Sequence, residues 1–182
     1  MGRSGESIDK VIRAVPGKTG KYLTFTLGME EYGIGILKVK EIIGMMPITC
    51  VPRTPEFVKG VINLRGKVIP VIDLRLRFRM EAISYTDHTC IIVVETDNDM
   101  GIILMGVVVD SVSEVLNIAD DEIEETPDFG TDLDTDYILG LAKTQGRVTI
   151  LLDIDKVLSA GDLESFETHI TGKSLINIQE NE

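Results

Sequence analysis

The sequence predicts an all-β protein, two small five-stranded barrels joined in one chain. Three observations carry that reading. From Lys21 onward the chain is a series of short apolar runs, rich in β-branched residues, cut at regular spacing by glycine-bearing turns. It also repeats: Tyr32–Ile43 aligns without a gap with Met105–Leu116, and Gly60–Leu74 aligns with Gly140–Ile154. The repeat is too long for a stacking solenoid unit and occurs twice, so it describes two similar subdomains. Each half holds about five such runs, and closing each sheet removes its exposed edges.

The elements follow in order. Residues 1–20 are polar and lack the apolar segment of a secretory signal, which reads as a flexible tail. Tyr22, Phe25 and Leu27, with threonines between, have strand chemistry, and Gly28–Glu31 is a turn into a second strand, Tyr32–Leu37. Val39, Ile42 and Ile43 extend an apolar edge that Gly44 ends. Thr54–Lys59 has a threonine before a proline and predicts a short helix start, which Gly60 would stop. Val61–Leu64 and Val68–Ile72 flank Arg65-Gly66, a tight hairpin. Asp73–Met80 reads as a turn of helix or, from its alternating Arg75, Arg77 and Arg79, as an exposed strand.

The second half opens with strands at Thr89–Thr96 and Met100–Val109 around an Asp97-Asn98-Asp99 turn. Ser113–Ile118 is a further strand, Asp120–Pro127 an acidic connection, and Phe129–Asp136 a polar loop. That region lengthens the repeat offset from 73 residues to 80. Tyr137–Thr144 and Arg147–Leu152 form the last hairpin, with Gly146 at its turn. Asp153–Ser159 and Gly161–His169 read as helices. The expected division is a tail over 1–20, one domain over 21–158 with subdomains at about 21–86 and 87–152 and some strand exchange between them, and a C-terminal helix and tail over 159–182.

Composition narrows the function. A net charge of -12 and a pI near 4.6 argue against nucleic acid and against anionic membrane surfaces. The same charge suits a basic partner face or serves solubility. Halves this small share packing to build a sufficient core. Cys50 and Cys90 make no disulfide framework, and a cytosolic setting fits them. No run of about 18 apolar residues is present, so direct membrane insertion is not expected.

Catalytic and cofactor chemistry finds no constellation. The histidines are His88 and His169, without a nucleophile elbow near either. Gly17-Lys18-Thr19 and Gly172-Lys173-Ser174 imitate the end of a phosphate loop, but Ile12 and Glu167 stand where its first glycine belongs. Asp132, Asp134 and Asp136 begin like a calcium loop, yet Tyr137 and Lys143 occupy its glycine and glutamate positions. No enzyme activity, metal or cofactor is expected; a small β-barrel enzyme or metal protein using the acidic loop is the contrasting reading.

Two features bear on partners. Arg65, at a hairpin turn, is either a solubilising residue or a forked donor for a partner's carboxylate or carbonyls. Its counterpart is Gln145, which keeps the turn and loses the charge. Glu41 and Glu114 occupy matching places, and a period-two strand puts Val39 and Glu41 on one face. That face is either an outward docking strip or a solvated edge with a gatekeeper charge.

Together, Tyr22–Gly28, Glu31–Ile34, Ile36–Ile42, Thr54–Val61, Asn63–Gly66, Pro70–Arg75 and Val108–Leu116 resemble the CheW family of bacterial chemotaxis coupling proteins. The resemblance covers about residues 21–158. It implies two five-stranded SH3-like barrels around a shared core, and a non-enzymatic adaptor linking chemoreceptor cytoplasmic tips to the histidine kinase CheA. Receptor contacts carried over by motif are Val39, Glu41, Gly44, Gly60 and Arg65, in a groove near the inter-barrel junction. The kinase's regulatory domain is expected on the second-barrel hairpin around Leu139, Leu141 and Val148. The resemblance further implies contacts between copies in array rings and a cytoplasmic location beside inner-membrane receptors. A paralogue serving surface motility or a second-messenger circuit is the alternative.

Overall fold

The computed structural model describes residues 18–98, 101–127 and 136–158. The strands are β1 (Gly20–Leu27), β2 (Glu30–Gly35), β3 (Val39–Gly44), β4 (Val58–Leu64), β5 (Lys67–Asp73), β6 (Cys90–Asn98), β7 (Gly101–Val109), β8 (Ser111–Ile118), β9 (Ile123–Glu124), β10 (Ile138–Thr144) and β11 (Arg147–Leu152). Two short helices, α1 (Leu74–Arg77) and α2 (Ile154–Leu158), follow β5 and β11. One sheet has six strands in the order β8-β1-β2-β11-β10-β9, and the other has five in the order β3-β6-β7-β5-β4.

Pairing crosses between the repeats. The β1–β2 hairpin lies between β8 and β11, both from the second half. The matching β6–β7 hairpin lies between β3 and β5, both from the first. Each sheet thus takes strands from either side of residue 86. Register survives in detail: Phe25 faces Tyr32 on one hairpin, and Val94 faces Met105 on the other.

The repeated glycines have a common steric cause. A Cβ on Gly60 would lie 2.0 Å from the Thr49 carbonyl oxygen, where an isolated bridge joins Thr49 to Val61. A Cβ on Gly140 would lie 2.9 Å from the Glu124 carbonyl oxygen, where β9 joins β10 through Leu141. Each glycine lets an outer segment cross a bulged strand at close range. The sixth strand, β9, is therefore the longer counterpart of the Thr49 bridge.

Three apolar clusters fill the molecule. Ile91 and Val93 face the interior of the five-stranded sheet with Ile62, Ile69, Val71 and Val108. Their neighbours Ile92 and Val94 face the other way, into a larger core with Phe25, Leu27 and Ile34 of the six-stranded sheet. Period two puts alternate residues on opposite faces, and both faces of β6 are buried; hence its unbroken apolar run. Tyr22, Ile118, Ala142 and Leu151 make the small third cluster, on the six-stranded sheet.

Some local expectations give way to long-range pairing. Thr54–Lys59 is not helical: the Thr54 hydroxyl donates to the Val51 carbonyl, and Val58 already pairs with Ile72. Gly60 lies inside β4 instead of stopping a helix. The Tyr32–Leu37 strand ends at Gly35, and Ile36–Lys38 is a 3-10 turn. Asp73–Met80 takes the helical option, because the Asp73 carboxylate caps α1. The acidic connection contains β9, too short to show a period. The Asp132 and Asp134 of the acidic loop, the Gly161–His169 helix, and residues 1–17 and 159–182 lie outside the described residues.

Candidate functional site

β3 and β4 are the two edges of the five-stranded sheet. A flat sheet would hold them roughly 19 Å apart. Instead Arg65, in the turn after β4, donates from Nη1 to Glu41 Oε2 on β3 at 2.8 Å. The sheet is rolled far enough for a side-chain pair to join its two margins.

The turn aims Arg65 there. Arg65 and Gly66 have φ of 51° and 84°, the two-residue type I′ geometry that matches strand twist. Gly66 N–H donates to Asn63 Oδ1 at 2.9 Å, which fixes the loop. The Arg65 side chain stays 73% exposed and that of Glu41 27%. Glu41 raises the guanidinium pKa above its ordinary value through the hydrogen bond and its charge. An ion pair this exposed adds little stability. Glu41 Oε1 is buried and has no hydrogen-bond partner. One oxygen of the carboxylate is thus satisfied by Arg65, and the other is enclosed without a donor.

The twin site differs chemically. Gln145 and Gly146 keep the turn, with φ of 50° and 76°. Glu114 lies at the same bulge as Glu41, and its backbone exchanges two hydrogen bonds with the Thr24 hydroxyl. The arginine-to-glutamine difference between the repeats corresponds to a real ion pair present in the first.

The other first-half candidates spread along the same strands. Val39 begins β3, opposite Val94, and is half-buried against the larger core, so it is not on an outward strip. A bulge between Val39 and Glu41 turns Lys40 outward onto Glu95 at 2.8 Å. Gly44 ends β3 opposite Cys90, exposed and with open space at its Cβ position. Gly60 is buried beneath Thr49 and acts through the backbone. The sequence reading missed Ile42, beside Glu41 and 46% exposed, and Val68, 61% exposed next to the Arg65 turn. The alternation of β3 was the available signal for Ile42.

In the second half, Leu139 packs against the third cluster, and Leu141 is half-buried between Ile150 and Glu124. Val148 is 48% exposed, and its counterpart is Val68. Among the described residues no group of histidine, cysteine and carboxylate side chains is placed to hold a metal.

The thiols differ. Cys50 is exposed, whereas burial raises the Cys90 pKa, opposed by a backbone hydrogen bond from Val112. A raised thiol pKa means less thiolate at a given pH, and thiolate is the nucleophile. Limited iodoacetamide treatment at pH 8 is expected to label Cys50 well before Cys90, by about tenfold or more in rate. Peptide mass spectrometry of a time course checks this; equal rates would contradict the packing around Cys90.

Comparison with known proteins bears on most of the chain. Residues 21–162 match the family model described as CheW-like domain. The chain is 45% identical over 143 residues to Chemotaxis protein CheW of Klebsiella aerogenes, covering 79% of this chain and 84% of that one. It is 34% identical over 143 residues to Chemotaxis protein CheW of Rhizobium meliloti, covering 79% and 90%. The crystal structure of scaffolding protein TtCheW from Thermoanaerobacter tengcongensis superposes with a TM-score of 0.69 at 37% identity, covering 79% of this chain and 95% of that one.

Proposed function

From the premise that this chain belongs to the CheW-like domain family and is a chemotaxis adaptor, we propose that it holds receptor tips and the histidine kinase CheA together without catalysing a reaction. The observation that supports a docking role for the β3–β4 margin is the Arg65–Glu41 pair. It offers an exposed guanidinium fork that the Glu41 carboxylate holds in place at the margin of the sheet. A receptor's helical hairpin presents apolar residues at i, i+3, i+4 and i+7 with polar groups beside them. Exposed Ile42 suits the first and the ion pair the second.

Val39, Gly44 and Gly60 then shape this margin, and Glu41 and Arg65 touch the partner. The kinase's regulatory domain docks on the second-half hairpin, with Val148 as the exposed contact and Leu139 and Leu141 beneath it. Copies of the chain meet in array rings. Each contact needs only modest affinity, because an array raises effective concentration. No helix among the described residues is long and apolar enough to cross a membrane. The proposed setting is the cytoplasmic side of receptor arrays, held there by protein contacts.

Titration against a receptor-tip fragment and the kinase regulatory domain tests this. Arg65→Ala is expected to weaken receptor-tip binding by about tenfold, the usual scale for a lost charge-assisted contact. Kinase-domain binding and thermal midpoint are expected to stay unchanged. A folded variant that binds the receptor tip as the parent does would remove Arg65 from the interface. The paralogue reading predicts instead that the unaltered protein binds neither chemotaxis partner.

A further inference from the structure

The two halves present the same exposed apolar pair. Ile42 of β3 and Val68 beside the Arg65 turn have as counterparts Val115 of β8 and Val148 beside the Gln145 turn, and all four side chains are exposed. The correspondence holds in the strand pairing as well as in the repeat. Ile42 lies opposite Ile92 and Val115 opposite Leu23, on matching hairpins. Val68 lies opposite Asn63 and Val148 opposite Lys143. The six-stranded sheet is rolled like the other, since Ile118 of β8, Ile123 of β9 and Ala142 of β10 meet in one cluster. The chain therefore has two docking margins of one shape, and shape alone cannot keep each partner off the wrong one.

The margins differ in the segment that crosses outside them. In the first half it runs over residues 45–50 and has no charged side chain. Thr49, bridged to Val61, holds the place that Glu124, paired with Leu141, holds in the second half. There the segment includes Asp120, Asp121, Glu122, Glu124 and Glu125. Glu122 is engaged locally, its Oε1 accepting from Ala119 N–H at 3.1 Å, and Glu124 pairs with Lys143. Asp120, Asp121, Glu124 and Glu125 are exposed, as is Glu114 next to Val115. On the turns, Arg65 of the first half is replaced by uncharged Gln145, while Lys67 and Arg147 match. The margins are alike in apolar content and differ in sign, the first cationic at its turn and the second anionic.

Like charges brought together across an interface oppose binding, and a field of one sign speeds the approach of a partner of the other. We propose that the carboxylates of residues 120–125 select the partner of the second margin. An apolar patch rimmed by lysine or arginine docks on Val115 and Val148. A helical hairpin with carboxylates beside its apolar stripe is repelled there and docks on Ile42 and Arg65. This rests on the docking arrangement proposed above, and it makes the kinase regulatory domain the basic partner and the receptor tip the acidic one. Discrimination between two similar margins uses the repulsive element as much as the attractive one.

Binding of the full chain to the kinase regulatory domain and to a receptor-tip fragment tests this, using the quadruple variant Asp120→Asn, Asp121→Asn, Glu124→Gln, Glu125→Gln. The four side chains are exposed and Glu122 is kept, so the thermal midpoint is expected to stay the same. Kinase-domain association is expected to slow about tenfold, and its dependence on salt between about 0.05 M and about 0.5 M to flatten. Receptor-tip affinity is expected to hold or rise. Val115→Ser, which alters the apolar pair and leaves the charges, is expected to speed kinase-domain dissociation about tenfold and to keep the salt dependence. Unchanged kinase binding by the quadruple variant would overturn the proposal and leave the docking arrangement standing. So would weaker self-association with kinase binding intact, which would assign the segment to contacts between copies, or an equal loss of both partners. Failure of the unaltered chain to bind the kinase domain at all would overturn the docking arrangement and this proposal together.

Discussion

Replacing Gly60 by alanine is expected to lower the thermal midpoint by about 10–20 °C, on a scale of roughly 2–4 °C per kcal/mol for a domain of this size. The new Cβ would lie 2.0 Å from the Thr49 carbonyl oxygen and 2.7 Å from its carbonyl carbon. Both are backbone atoms, so no side-chain rotation relieves the clash. Gly60 also has φ of 136°, a region that L residues rarely enter. Backbone strain of about 1–3 kcal/mol and overpacking of similar size add to about 3–6 kcal/mol. Gly140→Ala meets the flexible Ile123 side chain at 2.8 Å and the Glu124 oxygen at 2.9 Å, and should cost about half as much. Gly44→Ala, with nothing within 4 Å, should fall within about 0.5 kcal/mol of the parent. Calorimetry on the three variants gives the ranking; a mild Gly60→Ala would mean that the Thr49 segment does not lie across β4.

Asp73→Ala is the second large effect. Asp73 is only 4% exposed, and its carboxylate has work on both oxygens. Oδ1 accepts from Arg75 N–H at 2.9 Å and Leu76 N–H at 3.4 Å, capping α1. Oδ2 accepts from the Tyr85 hydroxyl. Burial, then the Asp73 charge and hydrogen bond, push the Tyr85 pKa well above its ordinary value. Losing a cap costs about 1 kcal/mol, and leaving the donors unpaired adds about 1–3 kcal/mol. The expected total is about 2–4 kcal/mol, read as a shifted midpoint in urea at unchanged slope. Tyr85→Phe, which removes one donor and leaves the cap, should cost about 1 kcal/mol. Equal losses for the two variants would show that the cap itself contributes nothing.

Much of this arrangement was legible in the residues. Short β-branched apolar runs between turn residues located β1, β5 to β8, β10 and β11, and the Arg65-Gly66 and Gln145-Gly146 turns followed from glycine-bearing hairpin chemistry. Partner choice was not legible. Nothing local tells β2 that its neighbour is β11, since parallel pairing is fixed by packing across the whole chain. The same force overrode the Thr54-Pro55 helix signal. Both members of the ion pair were singled out in the sequence, but their contact spans 24 residues and two sheet edges, so each was read alone. The repeated glycines were visible as a pattern, while their cause needed Thr49 and Glu124 in place.

The exchange of strands between the repeats sets an order of events during synthesis. When the first half has left the ribosome, β1 and β2 still lack β8 and β11, and β3 to β5 lack β6 and β7. Neither sheet can close on residues 20–73 alone. Nascent chains ending before β11 therefore carry unpaired strand edges and an open apolar face, a state that invites aggregation. Completion waits for contacts of high sequence separation, such as Glu31 with Thr149, which places this chain among slow folders for its size. The joint that makes one rigid adaptor out of two repeats also makes folding an all-or-none event, finished only when the last strand arrives.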